Sequence, residues 1–317
     1  MNTSPTRLQL IDLAKGIVML LVIAGHVFWG PGHVVFPDGV PADNAMTTFR
    51  MPLYFMLCGI FFKTYDGIGT FLKKKINNQL IPYAVFYLFG LVTGIYGAIW
   101  FLGCLFLVNV LGYLLFLLPK RDMPKYAKVL IFIAFTLLAG FFGSLIPSYL
   151  GTAIVALPFF LSGYFLRKGT DFISAQKMNL GKSLVLTTLC LGIVALVCGL
   201  CHWPDAVFAI NEYHLPLPLL YVCGFAGTMA MLFLAKALVR VPVVSYIGRY
   251  SIIVLLTHPI FIYGFSRLEG LVFGTKMNAY YWTVVFFLVI LLEVPTIWFC
   301  KKYLPWAFAQ KEVLKTN

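Results

Sequence analysis

Long apolar runs, separated by short breaks that contain charged residues, proline or glycine, dominate the chain. A helix needs about 20 apolar residues to cross the hydrocarbon core of a bilayer. The pattern therefore predicts an all-α polytopic membrane bundle of about ten transmembrane helices. The predicted spans lie near 8–29, 46–63, 79–98, 100–118, 128–145, 150–166, 183–201, 217–236, 250–265 and 279–300.

Several of these runs have only about 16–18 residues, which is the lower limit for crossing a bilayer. Two of them could instead be re-entrant or interfacial segments. The sequence shows no internal repeat, no low-complexity tract and no long linker. We therefore expect a single transmembrane domain over residues 1–317.

The loops between the predicted spans differ in charge on the two sides of the membrane. Cytoplasmic loops are enriched in Lys and Arg. With ten spans, one side has only Arg50, Arg267 and Lys276, and the other side carries nearly all of the basic residues. These are Arg7, Lys63, Lys73, Lys74, Lys75, Lys120, Arg121, Lys125, Lys128, Arg167, Lys168, Lys177, Lys182, Lys236, Arg240, Arg249, Lys301, Lys302, Lys311 and Lys315. The alternation predicts that both termini are cytoplasmic.

Composition supports a membrane protein, because 61% of the residues are hydrophobic and only 11% are charged. The net charge of +13 could suggest a nucleic-acid partner. Nucleic-acid binding needs basic residues gathered on one solvated face, and here they form short clusters between apolar runs. We therefore expect the lipid bilayer, and not nucleic acid, as the partner of this chain.

The first predicted span contains three ionisable residues, Asp12, Lys15 and His26. An ionisable group at membrane depth costs about 2.5–3.5 kcal/mol on insertion scales, so it usually faces the bundle interior and marks a functional site. The step from Lys15 to His26 turns about 1,100° and rises about 16 Å along a helix. Both side chains are therefore predicted to lie on one face, Lys15 toward the cytoplasm and His26 toward the outer side.

His26 is a candidate general base, because a histidine can take a proton from a hydroxyl near neutral pH. The alternative is a packed histidine that is bonded to a backbone carbonyl. Lys15 could be catalytic, or it could pair with Asp12 one turn earlier.

Two further titratable groups lie in the predicted spans. Glu293 could be the counter-charge for Lys15 or a catalytic carboxylate. His258 precedes Pro259, which frees a backbone carbonyl that the helix cannot use. A local structural role is therefore the favoured interpretation for His258.

Arg50 begins the second predicted span, close to the expected depth of His26. It could reach lipid phosphates, or it could bind an anionic substrate group or a developing oxyanion. The run Lys73, Lys74 and Lys75 precedes the third span. It is an ordinary cytoplasmic anchor or a binding site for the phosphates of a cytosolic cofactor.

The segment from Cys198 to His202 fits the C-x-x-C-H pattern of covalent haem attachment. The pattern is short, and the apolar spans of this chain are rich in Cys and Gly. We therefore expect neither haem nor a bound metal.

Several motifs in the same order resemble the acyltransferase 3 family of membrane O-acyltransferases, especially its fucose 4-O-acetylase-like branch. Lys15 and His26 resemble the family's basic residue, ten intervening positions and histidine. Phe49 to Gly59 is similar to a phenylalanine-rich F-x-M-P-L-F-F-x-x-S-G pattern, with Cys58 in place of serine. The remaining matches are a basic stretch before L-I-P-Y at Lys73 to Tyr83, W-F-L at Trp100 to Leu102, and G-x-x-S with H-P at Gly248 to Pro259.

One departure concerns the segment before the third span. Many family members carry Arg-x-x-Arg there, whereas this chain has Ile76, Asn77, Asn78 and Gln79 after the three lysines. The resemblance alone therefore does not identify the basic residue that contacts a donor.

The resemblance implies transfer of acetyl or a similar short acyl group from a cytosolic donor, acetyl-CoA, to a hydroxyl of a cell-envelope carbohydrate. It implies a multi-pass protein of the plasma membrane, the bacterial inner membrane. In this hypothesis Lys73, Lys74 and Lys75, or Lys15, bind the donor phosphates, His26 activates the acceptor hydroxyl or relays the acyl group, and Arg50 stabilises the oxyanion. Oligomeric state is not predicted.

Two other classes of function remain open from the sequence. Ten helices with a few buried charges would also suit a secondary transporter or glycan exporter. An acyltransferase-like scaffold without catalysis is a further alternative, which the presence of His26 disfavours.

Overall fold

The computed structural model describes residues 5–29, 41–117, 124–169, 178–239, 241–274 and 279–315. Nearly all of this chain is helical. The helices are α1 (Pro5–Trp29), α2 (Pro41–Ile60), α3 (Ile68–Lys75), α4 (Ile81–Thr93), α5 (Trp100–Leu117), α6 (Lys125–Leu145), α7 (Ser148–Gly169), α8 (Leu180–Leu200), α9 (Leu217–Leu238), α10 (Pro242–Arg249), α11 (Ser251–Phe273) and α12 (Ala279–Tyr303).

Each predicted span corresponds to a helix, which confirms the all-α polytopic class. Seven helices of the described chain are long and apolar enough to cross a membrane, namely α1, α6, α7, α8, α9, α11 and α12. The shorter α5 is also apolar. The total of about ten spans and the cytoplasmic termini stay predictions.

The third predicted span, 79–98, differs most from the structure. The helix there is α4, which has only 13 residues. A π-helical turn at Ile76–Leu80 joins it to α3, so that helical backbone runs without a break from residue 68 to 93. A π-helical turn widens the helix locally and is common at functional sites.

α1 lies at the centre of the bundle, where it packs against α2, α9, α10, α11 and α12. Many of its apolar side chains are fully buried, among them Ile11, Val18, Met19 and Ile23. Its polar residues Asp12, Lys15 and His26 are partly buried, so protein covers much of their surface. This position explains how one helix can carry Asp12, Lys15 and His26 at membrane depth.

Close helix packing depends on glycine at two contacts. A Cβ at Gly59 of α2 would overlap the carbonyl oxygen of Phe160, and a Cβ at Gly163 of α7 would overlap that of Met56. Gly16 of α1 and Gly248 of α10 approach each other's backbones in the same way. Small residues allow this close approach in membrane bundles, where apolar burial alone does not drive helices together.

Helices α6 and α8 cover the outside of the bundle. Their surfaces carry large exposed apolar side chains, such as Leu130, Phe141, Leu189 and Leu196. Such a surface suits contact with lipid, and its backbone groups are satisfied within each helix.

The loop between α8 and α9 contains a short antiparallel hairpin, β1 (Ala206–Val207) and β2 (Glu212–Tyr213). The Asn211 amide donates to the carbonyl oxygens of Gly143 and Ile146 at 2.9 and 2.8 Å. Thr152 donates to Phe208 O at 2.8 Å. These bonds attach the hairpin to the adjacent ends of α6 and α7. The predicted loop at 30–45 lies largely outside the described residues.

Candidate active site

A cavity of about 340 Å³ lies beside the first half of α1. We call it the Lys15 cavity. Its apolar wall is formed by Met19, Met51, Phe101, Leu102, Leu105 and Leu255, together with other residues of α1, α2, α5 and α11. Its polar lining includes Lys15, Cys58, Lys75, Asn78, Gln79, Asn109 and Gln310. Five helices (α1, α2, α3, α5 and α11), the π-helical turn and the chain after α12 therefore meet around one space.

Two ammonium groups face this cavity from different elements. The Nζ atom of Lys15 lies 5.1 Å from the ring centroid of Phe61, and that of Lys75 lies 5.7 and 5.6 Å from the rings of Phe62 and Phe71. Within the described chain, neither ammonium has a carboxylate within ion-pair distance. Aromatic faces stabilise the two cations without neutralising them. The cavity is therefore suited to an anionic ligand.

The alternatives predicted for Lys15 can now be compared with its position. Asp12 is close enough to interact electrostatically with Lys15 and with Arg249, but it does not form an ion pair with Lys15. Glu293 is likewise not paired with Lys15. Its Oε2 atom lies 2.8 Å from the hydroxyl of Thr257 on α11, in a fully buried position. The Tyr54 hydroxyl donates to the backbone carbonyl of Lys15 at 3.1 Å, which fixes α2 against this turn of α1.

The three lysines of the basic run have different environments. Lys73 is exposed, and Lys74 forms an ion pair with Glu312. Lys75 faces the Lys15 cavity, outside the membrane-spanning helices, and burial lowers its pKa to about 8. Only one of the three side chains therefore reaches the cavity itself.

The chain after α12 folds back over this region and forms a wall of the cavity through Ala309 and Gln310. The Asn77 amide holds the segment in place. Its Nδ2 donates to Leu314 O at 2.8 Å, and its Oδ1 accepts from the backbone N–H groups of Val313 and Leu314 at 3.0 and 2.8 Å. We call residues 304–315 the C-terminal strap.

Near the other end of α1, His26 contacts His258 of α11. The two imidazole centroids are 5.2 Å apart, with the rings inclined at 63°. His258 is fully buried, and its Nδ1 lies 2.7 Å from the carbonyl oxygen of Val254. A carbonyl oxygen only accepts, so Nδ1 carries the proton and Nε2 has the free lone pair. That Nε2 is buried without a hydrogen-bond partner in the described part of the chain.

Arg50 is held against α1 beside the turn that contains His26. Its Nη1 donates to Asp43 Oδ1 at 2.9 Å and to the carbonyl oxygen of Leu21 at 3.2 Å. A Cβ at Gly25 would overlap Nη1, so glycine is needed for this approach. The Arg50 side chain is 14% exposed, which places it inside the bundle and not in the lipid headgroups.

The Lys15 cavity and the histidine pair are separate in this structure. The cavity follows α1 from Lys15 to Met19, and His26 does not line it. The seven positions from Met19 to His26 correspond to about 10 Å along a helix. An acyl group that reacts beside His26 must therefore cross this distance from the cavity.

Comparison with known proteins identifies the family. The acyltransferase 3 family model, described as an acyltransferase domain, matches residues 8–94 and 88–298. The chain belongs to the acyltransferase 3 family. Membership supports a membrane acyltransferase and confirms the family predicted from the motifs. The fucose 4-O-acetylase-like branch stays a prediction. No curated protein and no solved structure matches the chain.

In this acyltransferase 3 chain, sequence reasoning missed four polar residues that help to form the site. Asn109 is an isolated amide within the apolar run of α5, and that isolation was a usable signal. Gln79 and Asn77 replace part of the Arg-x-x-Arg motif of other family members. Nothing in the local sequence indicates that Gln310 reaches the cavity, because the return of the chain after α12 is a tertiary contact.

Proposed function

We propose that this acyltransferase 3 protein moves an acetyl or similar short acyl group from acetyl-CoA in the cytosol to a hydroxyl of a cell-envelope carbohydrate. The observation that carries the proposal is the arrangement along α1. A cavity with two cations lies at one end, and a histidine pair lies about three turns away. This arrangement of the cavity and the histidine pair along α1 suits a donor and an acceptor that approach from opposite sides of a membrane.

In the proposed topology the chain crosses the membrane about ten times, and both termini are cytoplasmic. The proposed location is the plasma membrane, which is the bacterial inner membrane. In this orientation the Lys15 cavity opens toward the cytosol. Lys75 lines the cavity, and Lys73 and Lys74 immediately precede it in α3. These charges support binding of a donor that carries phosphates.

At the other end, His26 is the proposed catalytic residue. As a general base it takes the proton of the acceptor hydroxyl, whose oxygen then attacks the acyl carbonyl carbon. The C–S bond to CoA breaks, and the thiolate leaves and takes up a proton. Relay of the acyl group on His26 is the alternative for the same residue.

Arg50 is the proposed oxyanion stabiliser. Its Nη2 and Nε atoms make no hydrogen bond to the residues that the structure describes. They could therefore donate to the oxygen that becomes negative in the transition state. The pair with Asp43 would hold the guanidinium in a fixed position, so little reorganisation is needed when the charge develops.

The test is transfer of radiolabel from acetyl-CoA to envelope glycan, measured in membranes with matched amounts of protein. Wild-type protein should incorporate label, and His26→Ala should not. His202→Gln is the matched control, because His202 is exposed and lies after α8, away from the cavity and the histidine pair. Full activity of a correctly inserted His26→Ala protein would contradict the proposed mechanism.

The sequence also allowed a transporter or glycan exporter. Family membership favours acyl transfer over that alternative. The radiolabel assay separates the two, because an exporter would leave no label on the glycan.

A further inference from the structure

Two residues that line the Lys15 cavity each have a buried amide oxygen without a hydrogen-bond partner in the described chain. Asn109 of α5 is 2% exposed, and its Nδ2 donates to Leu105 O at 2.8 Å. Its Oδ1 is left unpaired. Gln79, in the π-helical turn, is 6% exposed, and its Oε1 is also buried and unpaired. Both residues line the cavity.

Buried polar atoms in folded proteins are nearly always hydrogen-bonded to protein, ordered water or a ligand, so two such residues around one cavity mark it as a candidate ligand site. An amide oxygen only accepts, and the ligand must therefore carry N–H or O–H donors at two positions. The other polar groups of the lining include the two ammonium groups of Lys15 and Lys75, which donate. Apolar side chains such as Met51 and Phe101 occupy much of the remaining wall.

The volume of about 340 Å³ is at the lower end of the range of about 300–1,000 Å³ for small-molecule sites. A slender chain with amide groups fits such a space. The same chain together with a whole nucleotide does not fit. The pantetheine arm of a CoA thioester has this chemistry, because its two amide N–H groups are separated by methylene groups. Acyl phosphates and glycerophospholipids with ester-linked chains lack amide N–H groups in the donor portion.

We propose that Asn109 and Gln79 form a subsite that recognises the amide N–H groups of the donor's pantetheine arm. The nucleotide then stays at the cytosolic entrance, near the basic run. The thioester end points toward Met19 and Leu255, where the small remaining space favours a short acyl group. This inference rests on the proposed function, because it assumes a cytosolic CoA donor.

The first test is equilibrium binding of tritiated CoA to purified protein in lipid nanodiscs. Asn109→Leu and Gln79→Leu remove one amide each, and Gln9→Leu is the matched control at an exposed position of α1. We expect each cavity variant to bind CoA about tenfold more weakly, which is the effect of one lost hydrogen bond of ordinary strength. Binding of 3′,5′-ADP, which lacks the arm, should be equal in all four proteins.

Equal CoA affinity in wild type and in either variant that elutes as a folded, monodisperse protein would overturn the assignment for that residue. The two positions lie on different elements, so failure of one variant to fold leaves the other as a test. Wild-type protein that binds 3′,5′-ADP as tightly as CoA would overturn the subsite, since the arm would contribute nothing.

The second test locates the arm through Cys58, which lines the same cavity. Alkylation of Cys58 by N-ethylmaleimide is measured by peptide mass spectrometry. Pantetheine and CoA should slow this alkylation, whereas 3′,5′-ADP should not. CoA binding without protection of Cys58 would overturn the subsite and leave the CoA donor in place. No CoA binding by wild-type protein would overturn the donor proposal, and the subsite with it.

Discussion

His258 shows how a single residue can acquire a role through a tertiary contact. Its neighbours in sequence, Thr257 and Pro259, favoured a local structural interpretation, and its bond to Val254 O agrees with that interpretation. The same bond fixes the proton on Nδ1 and leaves Nε2 as an acceptor close to His26. The spacing of residues in α1 predicted Lys15 and His26, but no spacing within one helix could predict that α11 places a second imidazole there.

We expect His258→Phe to lower the rate of acyl transfer at saturating substrate by about tenfold or more. Phenylalanine keeps the ring contact with His26 but lacks the nitrogen acceptor. The expected loss is smaller than or similar to the roughly 10²–10⁴-fold contribution of general acid–base catalysis itself. Steady-state kinetics with labelled acetyl-CoA would measure it. His258 contacts His26 and does not line the Lys15 cavity, so we expect it to act through His26. The KM for the donor should therefore stay the same, and a raised KM with unchanged kcat would contradict the role.

Lys75 should make donor binding depend on pH. Burial lowers its pKa to about 8, so its ammonium is charged below that pH and is progressively lost above it. An anionic donor binds the charged form, and the CoA affinity of the protein should therefore fall by about tenfold between about pH 7 and pH 9.5, the usual effect of one charged hydrogen bond. CoA binding measured across this range is the test.

The matched variant for this measurement is Lys75→Arg, because arginine stays charged throughout the range. Its CoA affinity should vary much less with pH than that of wild type. Identical pH profiles for the two proteins would assign the titration to another group.

At the scale of elements, each of the ten spans that hydropathy predicted corresponds to a helix in the structure. This agreement arises because the length of an apolar run is a property of the local sequence. Hydropathy did not locate the C-terminal strap or the π-helical turn. The apolar run of the strap, Leu304 to Ala309, is too short to indicate a span, and the strap is held by Asn77, more than 230 residues earlier in the chain. The π-helical turn brings Asn77 to the strap and Gln79 to the Lys15 cavity, an arrangement that a periodic pattern does not encode.

The C-terminal strap should detach when the Asn77 side chain is truncated to alanine. Asn77→Ala removes three hydrogen bonds to Val313 and Leu314, each worth about 0.5–1.5 kcal/mol. Trypsin should then cleave after Lys311 several-fold to about a hundredfold faster, because local opening controls proteolysis of such segments. Asn78→Ala is the control, since Asn78 is exposed and makes no hydrogen bond to the strap. Equal cleavage rates in the two variants would show that the asparagine does not hold the strap.

Packing of α2 against α7 should fail when Gly163 gains a side chain. The backbone of Met56 occupies the space that a Cβ would need, and it cannot move as a flexible side chain could. We expect Gly163→Val to destabilise the protein by about 1–3 kcal/mol, the usual cost of overpacking. Gly192→Val is the control, because no atom lies within 4 Å of a Cβ built at that position of α8. Thermal unfolding followed by size-exclusion chromatography would compare them, and equal midpoints would contradict the close contact.

At the scale of the whole molecule, the structure also explains why two helices do not resemble ordinary spans. α2 carries Asp43 and Arg50 and is held inside the bundle by neighbouring helices, whereas α4 is apolar and largely exposed but has only 13 residues. Most of α2 is buried, and α4 extends the continuous helix that starts with α3. Helices that are shielded from lipid need less apolar surface of their own. Length and hydropathy of the described helices therefore give seven spans, whereas the apolar runs of the sequence, together with the distribution of basic residues, predict about ten.

The difference between seven and ten crossings can be tested, because an odd number places the two ends of the chain on opposite sides. With ten crossings, Lys63 and the strap residue Lys311 lie inside and the hairpin residue Glu212 lies outside; all three are exposed. A membrane-impermeant maleimide applied to intact cells should label Glu212→Cys above the level of the parent protein. It should label Lys63→Cys and Lys311→Cys only after the cells are permeabilised. Labelling of Lys311→Cys in intact cells would indicate an odd number of crossings if the N-terminus is inside. It would also place the wall of the Lys15 cavity that contains Gln310 on the side of the membrane away from the cytosolic donor.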